Sequence, residues 1–221
     1  MTTSRVQAEI KNFRDLLVAK DIAIAANPVT IRRVGTMQRV TWQSPIGDAP
    51  VAAASEFASV REYAQQLAAN AYTVVLLDGS LIQISFDLQH SEIVGHRFCF
   101  FPCPFNLQPV DFLEQPILDI IQLYQEAGSD YLRLRTPLRF EYDPNNASDD
   151  RSICHVHLLW AHCRCSVVAP LSLGHFIKFI FHHFYPDLWQ RHSFLREWPT
   201  DLGDRTISAD QESLLHFACR R

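Results

Sequence analysis

The first clear pattern along the chain is helical. Apolar residues at 6, 10, 13, 16 and 17 repeat at the three-and-four spacing that lines one face of a helix, predicted over residues 6–19. Asn27-Pro28 breaks the chain ahead of a strand predicted near residues 36–42. Pro45, Gly47 and Pro50 mark residues 44–50 as a loop. Ser59 is placed to cap a helix running to about Ala69, with Glu62 three residues on as its capping-box partner. Two β-prone runs, residues 72–77 and 81–88, flank Asp78-Gly79-Ser80 and predict a hairpin, because glycine tolerates the positive φ of such a turn.

Residues 96–101 read as a further strand, stopped by Pro102 and Pro104, and residues 114–127 as an amphipathic helix ending at Gly128. Strands are predicted at 138–143, 153–160 and 164–168, the first two joined by the turn-rich loop PNNASDDR. Ser172 is expected to cap an apolar helix that Pro186 ends. Residues 187–205 read as irregular, with a last helix at 209–218 capped by Ser208. Hairpins without βαβ alternation predict an α+β fold over residues 1–221, a single domain with helices packed against an antiparallel or mixed sheet.

Composition narrows the class. Hydrophobic residues make up 48% of 221 and charged residues 20%, enough apolar matter for a core and too much for disorder. No apolar run approaches the about 20 residues of a membrane span. The start, MTTSRVQAEIKNF, holds no signal-peptide core, so a cytoplasmic microbial protein with reduced cysteines is expected. Net charge is −4, and all of it falls after residue 110. That balance argues mildly against nonspecific nucleic-acid binding, which draws on a basic surplus. Arginine outnumbers lysine 17 to 3, a bias that suits bidentate contact with phosphate or carboxylate and equally follows from a GC-rich genome.

Candidate chemistry gathers in the second half. Arg139, Glu141 and Asp143 alternate onto one face of a strand, and His155 and His157 share a face of the next. If the two strands pair as a hairpin, acids and imidazoles meet on one surface. Such a set could bind a divalent metal, for which His155, His157 and Asp143 are the expected ligands, or act as general acid and base on a phosphoester with arginine steadying negative charge. The alternative is a solvated strand face or an ion-pair network. A second cluster, Cys154, His155, His157, His162, Cys163 and Cys165, holds six soft or borderline ligands. Cys154 and His157 point to opposite faces of a regular strand, so the cysteines read better as small core hydrophobes than as zinc ligands. The run Phe98–Phe105 reads as a core strand before it reads as a base-stacking platform. His175, Lys178 and His182 share a helical face, with Arg191 and His192 beyond, a weakly basic surface or a solvated one. No Walker, GxGxxG, GxSxG or HExxH sequence occurs.

The runs RTPLRFEYD, HVHLLWAHCR and PLSLGHFIKFIFHHFY resemble a bacterial domain-of-unknown-function family, the DUF2290 family, over roughly residues 135–185, with weaker agreement at 98–105. The resemblance implies that Arg139, Asp143, His157, Arg164 and Phe176 are the matching positions. The family pattern often has His-Pro before the HxH segment, where this chain has Ser152-Ile153-Cys154, and an apolar residue then Pro after the arginine, where it has Cys165-Ser166. Cys154 and Cys165 therefore look particular to this chain. The family brings no activity with it.

Two functions are expected to compete. One is a small hydrolase directed at phosphoesters or nucleic acid, in a mobile-element or antiviral gene cluster, using Arg139, Glu141, Asp143, His155, His157 and Arg164 with a divalent metal as cofactor. The other is a noncatalytic binding, specificity or immunity subunit with a protein partner, showing an aromatic patch near Phe101–Phe105 or Trp189–Trp198.

Overall fold

A computed structural model describes residues 2–43, 59–107, 109–112, 115–148, 152–158, 163–201, 203–214 and 216–218. The architecture is α+β, built on a mixed open sheet with helices packed against it. The chain divides into two compact units, Met1–Arg139 with His157–Cys163, and Phe140–Val156 with Arg164–Arg221.

In the first unit, α1 (Thr3–Ala19) buries Val6, Ile10, Phe13 and Leu17, the stripe its spacing dictates. It lies along β1 (Ala23–Ala26), β2 (Val29–Val34), β3 (Met37–Trp42) and β5 (Leu81–Gln89). The strands β1 and β2 escape sequence reading. The first is four residues of alanine and isoleucine, and the second has no buried residue and carries Arg32 and Arg33. Helix α2 (Val60–Ala68) begins where Ser59 Oγ accepts the Glu62 N–H at 3.1 Å. The hairpin of β4 (Val74–Leu76) and β5 turns at Gly79, whose φ of 81° favours glycine. A Cβ on Gly79 would also press on Cys103 and Leu107.

β5 pairs antiparallel with β6 (Glu92–Phe101) along its whole length, with an irregularity after Asp87. Alternation sends Leu81 to one face and Ile82, Ile84 and Phe86 to the other. On the first face Leu81, Cys99 and Phe101 join Tyr63 and Leu67 of α2 and Ile120 and Ile121 of α3 (Ile117–Ala127) in one buried cluster.

The second unit holds the greater part of the hairpin β7 (Leu138–Tyr142) and β8 (Cys154–Leu158), then β9 (Arg164–Val167). Helix α4 (Leu173–Phe184) is capped by Ser172, whose Oγ accepts the His175 N–H. Phe140 of β7 meets its Phe176 and Phe179 edge-on, with ring centres 6.1 and 5.5 Å away. Pro186 does end α4, but it also opens α5 (Pro186–Arg191), where a missing N–H costs nothing. Short α6 (Ser193–Glu197) follows, so the segment after Pro186 is more helical than its composition implies. The last helix, α7 (Ala209–Ser213), stops early. Its expected continuation, His216–Phe217, instead forms β10 parallel to β9, a tertiary pairing that overrides local preference.

Candidate metal centre

The site lies in one hairpin. The Asp143 N–H donates to Ile153 O at 3.0 Å, at the point where β7 leaves and β8 enters, so the strands run antiparallel. That register sets Glu141 opposite His155 and Arg139 opposite His157, all on one face. Phe140 and Val156 take the other face, the one Phe140 presents to α4. At the far end the Leu158 N–H donates to Cys163 O, just ahead of β9.

The polar face is buried. His157 is 0% exposed, Arg139 3% and His155 7%. Glu141, His155 and His157 each offer a ligand atom, and these atoms lie within 4.8 Å of one another. Donors about 2.1 Å from one ion stand roughly 3–4 Å apart, so the trio needs only a small contraction to share a cation.

The hydrogen bonds of His155 define its state. Its Nδ1 lies 3.0 Å from the carbonyl oxygen of Ser152, which can only accept. Nδ1 therefore carries a proton. Nε2 faces Glu141 Oε2 at 3.2 Å, and a carboxylate also only accepts. A bare Nε2 lone pair against a carboxylate is repulsive. Three things relieve it: a proton on Glu141 donated to Nε2, a second proton on the ring giving an imidazolium–carboxylate pair, or a cation between the two. A carbonyl that fixes one ring nitrogen and aims the other is how metal-binding histidines are commonly held.

Asp143 stands outside the trio. The chain leaves extended geometry there, at φ −142° and ψ 84°, to enter the turn at Pro144–Asn146. Alternation alone places Glu141 and Asp143 on the same face, but the end of the strand separates them, and it is Glu141 that groups with His155 and His157. Phe176, the other matching position of the resemblance, serves the α4 core at 0% exposure.

A family model described as an uncharacterized conserved protein, DUF2290, matches residues 22–219. The chain belongs to that family. The match runs from β1 to beyond β10, much further than the second-half motifs that first carried the likeness, and so takes in the whole hairpin. No curated protein and no solved structure matches the chain.

The other clusters come apart. Among the described residues no cysteine joins a ligand group; His162 lies outside them. Cys154 is buried on the face opposite His155, and burial pushes its thiol up to about 11 against a Thr206 hydrogen bond that lowers it. Cys163 is exposed and Cys165 half-buried. Phe98, Phe100, Phe101 and Phe105 are all buried, which removes them as a stacking platform. On α4, the His175 ring meets its own cap, Ser172 Oγ, at 2.9 Å, while His182 and His183 lie exposed against Trp189 and Phe179. No helix among the described residues is long and apolar enough to cross a membrane.

Proposed function

We propose that this protein is a metal-dependent hydrolase acting on phosphoesters, nucleic acids among them. The observation that carries the reading is the buried His155, held by Ser152 O at one nitrogen and aimed at Glu141 with the other. In this reading Glu141, His155 and His157 hold a divalent cation through two nitrogens and a carboxylate, a donor set that leaves room for water. Such a cation supplies a nucleophile by lowering the pKa of bound water toward neutrality. Arg139 sets a fixed positive charge in the same row as His157, suited to negative charge developing on phosphoryl oxygens. Arg164 of β9 is assigned the same role. Asp143, one residue past β7, is assigned to proton transfer.

The experiment is metal content by mass spectrometry on the purified chain, followed by turnover of a chromogenic phosphodiester with added Zn²⁺ or Mn²⁺. The wild type is expected to hold about one ion per chain. Glu141→Gln and His155→Gln, close in shape to the originals, are expected to lose it together with at least about 100-fold in rate. No ion in the wild type after loading and dialysis would sink the metal centre. A stoichiometric ion with no turnover of phosphodiesters or nucleic acid would sink the hydrolase.

A further inference from the structure

Among the described residues, several large apolar side chains are exposed around α3. Phe101, Phe105 and Trp198 are buried, whereas Val110 is 63% exposed, Leu123 57% and Tyr131 48%. These residues belong to the first unit and surround α3. Ile120 and Ile121 spend the inner face of the helix on the core. Leu123 stands beside that face and, with Val110, Asp111, Gln115, Ile120 and Tyr124, lines a pocket of about 270 Å³. Tyr131 meets the Tyr124 ring edge-on with centres 5.4 Å apart, so the wall of the pocket is aromatic. The volume is below the range of about 300–1,000 Å³ typical of small-molecule sites, and suits one anchoring side chain of a protein partner.

Charge decides which partner. From Asn106 to Leu132 the sequence holds Asp111, Glu114, Asp119, Glu126 and Asp130 and no lysine, arginine or histidine. Asp119 and Glu126 lie on the outer face of α3 and are exposed. Two copies of this chain meeting symmetrically here would set acid against acid. Nucleic acid and anionic membranes carry the same disfavoured sign.

We propose that this surface docks a basic amphipathic segment of another protein, an apolar ridge entering beside Leu123 with flanking Lys or Arg on the α3 acids. This is the helix-in-groove mode of recognition, with the specificity set by charge at the rim. It is independent of the metal centre.

The test titrates the full chain, by fluorescence anisotropy at low salt, with two labelled helical peptides of the same apolar pattern. One carries leucine and lysine, the other leucine and glutamate. Saturable binding of the lysine peptide alone is expected. Leu123→Asp, a surface change checked for folding by circular dichroism, is expected to weaken it at least about tenfold. Asp119→Lys with Glu126→Lys is expected to reverse the preference toward the glutamate peptide. The proposal is overturned by absence of saturable binding, or by lysine-peptide binding that Leu123→Asp leaves unchanged. A concentration-dependent dimer in sedimentation that Leu123→Asp dissolves would overturn it equally, by making a second copy the occupant.

Discussion

Two antiparallel hairpins bury polar groups in different ways. In β5–β6 and the turns beside it the buried polar side chains are mostly neutral and bond mostly to backbone, with one ionisable exception, His96, stacked on Phe98. The Gln83 amide donates to Gln66 and to Ala71 O, Thr73 Oγ accepts the Ile84 N–H, and Ser80 Oγ accepts the Cys103 N–H. The charged pair Arg39–Asp87 sits at the partly open end, joined by two hydrogen bonds of 2.6 and 2.9 Å. In β7–β8 the buried groups are ionisable: Arg139, His155 and His157, with Glu141 close behind. Taking charges out of water costs several kcal/mol per ion, and well-packed apolar replacements are often as stable or more so. The first arrangement is what a sheet needs in order to be buried. The second goes beyond that need, and it is this excess of ionisable groups that supports the function proposed for the hairpin.

The largest contrast in effect follows from this. Phe98 is fully buried in β6, stacked 4.3 Å from His96 and edge-on to Phe86 at 5.0 Å. Phe98→Ala removes a ring from a core that relaxes only partly, and is expected to cost about 3–5 kcal/mol in urea unfolding. Glu141→Gln keeps the shape and removes the charge. The new amide N–H can donate to the His155 Nε2 lone pair in place of the carboxylate contact. Its cost in metal-free buffer is expected to stay within about 1 kcal/mol, while the stabilisation conferred by added metal disappears. That stabilisation should reach about 3 kcal/mol at a hundredfold excess over Kd. A loss for Glu141→Gln as large as that for Phe98→Ala would break the contrast and make the second hairpin structural too.

The two hairpins also differ in how far they could be read from sequence. Signals that live within a few residues were legible: the stripe of α1, the caps at Ser59 and Ser172, the Asp78-Gly79 turn and the shared face of His155 and His157. What failed depended on distant partners. β10 exists because β9 is beside it, and β2 because β3 is. The choice of Glu141 over Asp143 beside the histidines rests on where β7 stops, and strand ends are set by tertiary pairing. Aromatic content gave no guide to exposure, since Phe101 and Phe105 are core while the exposed Val110 and Leu123 are aliphatic. Acidity around α3 was present in the sequence, but it acquires meaning only once Val110 and Leu123 are known to be exposed.

An effect of middle size tests whether the apolar sides are equally well sealed. Cys103, just past β6, and Cys154, in β8, both have thiols pushed up to about 11 from 9.0, chiefly by burial. A raised thiol pKa means the folded chain holds its proton longer than the unfolded one. Stability from each is therefore full below about pH 9 and is lost as pH rises toward about 11. The loss is expected to be on the order of 1–2 kcal/mol per thiol. Urea unfolding at pH 8 and pH 10.5 checks it: Cys103→Ala and Cys154→Ala should each flatten the alkaline decline. If only Cys103→Ala does so, the apolar side of β7–β8 admits water, and burial of its polar face would be less demanding than argued.

The smallest effect concerns the connections. β5 and β6 are joined by two residues, His90 and Ser91, between the paired Gln89 and Glu92, and both have positive φ, 50° and 68°. A two-residue hairpin of this kind matches the right-handed twist of its strands, which is why Asn-Gly is preferred there. Histidine and serine adopt the left-handed region at a cost, and neither offers the ease of glycine. Replacing His90-Ser91 with Asn-Gly is expected to stabilise the fold by about 0.5–1 kcal/mol, read as a rise in the urea midpoint with unchanged slope. β7 and β8 are joined by a longer polar segment beginning with the turn at Pro144–Asn146. The register of β5–β6 is already fixed along its length by buried pairs such as Ile84 with Phe98, so the turn need only follow. A gain well above 1 kcal/mol would mean instead that the turn holds the register. The hairpin treated as pure scaffold would then depend on a strained connection as well as on its core.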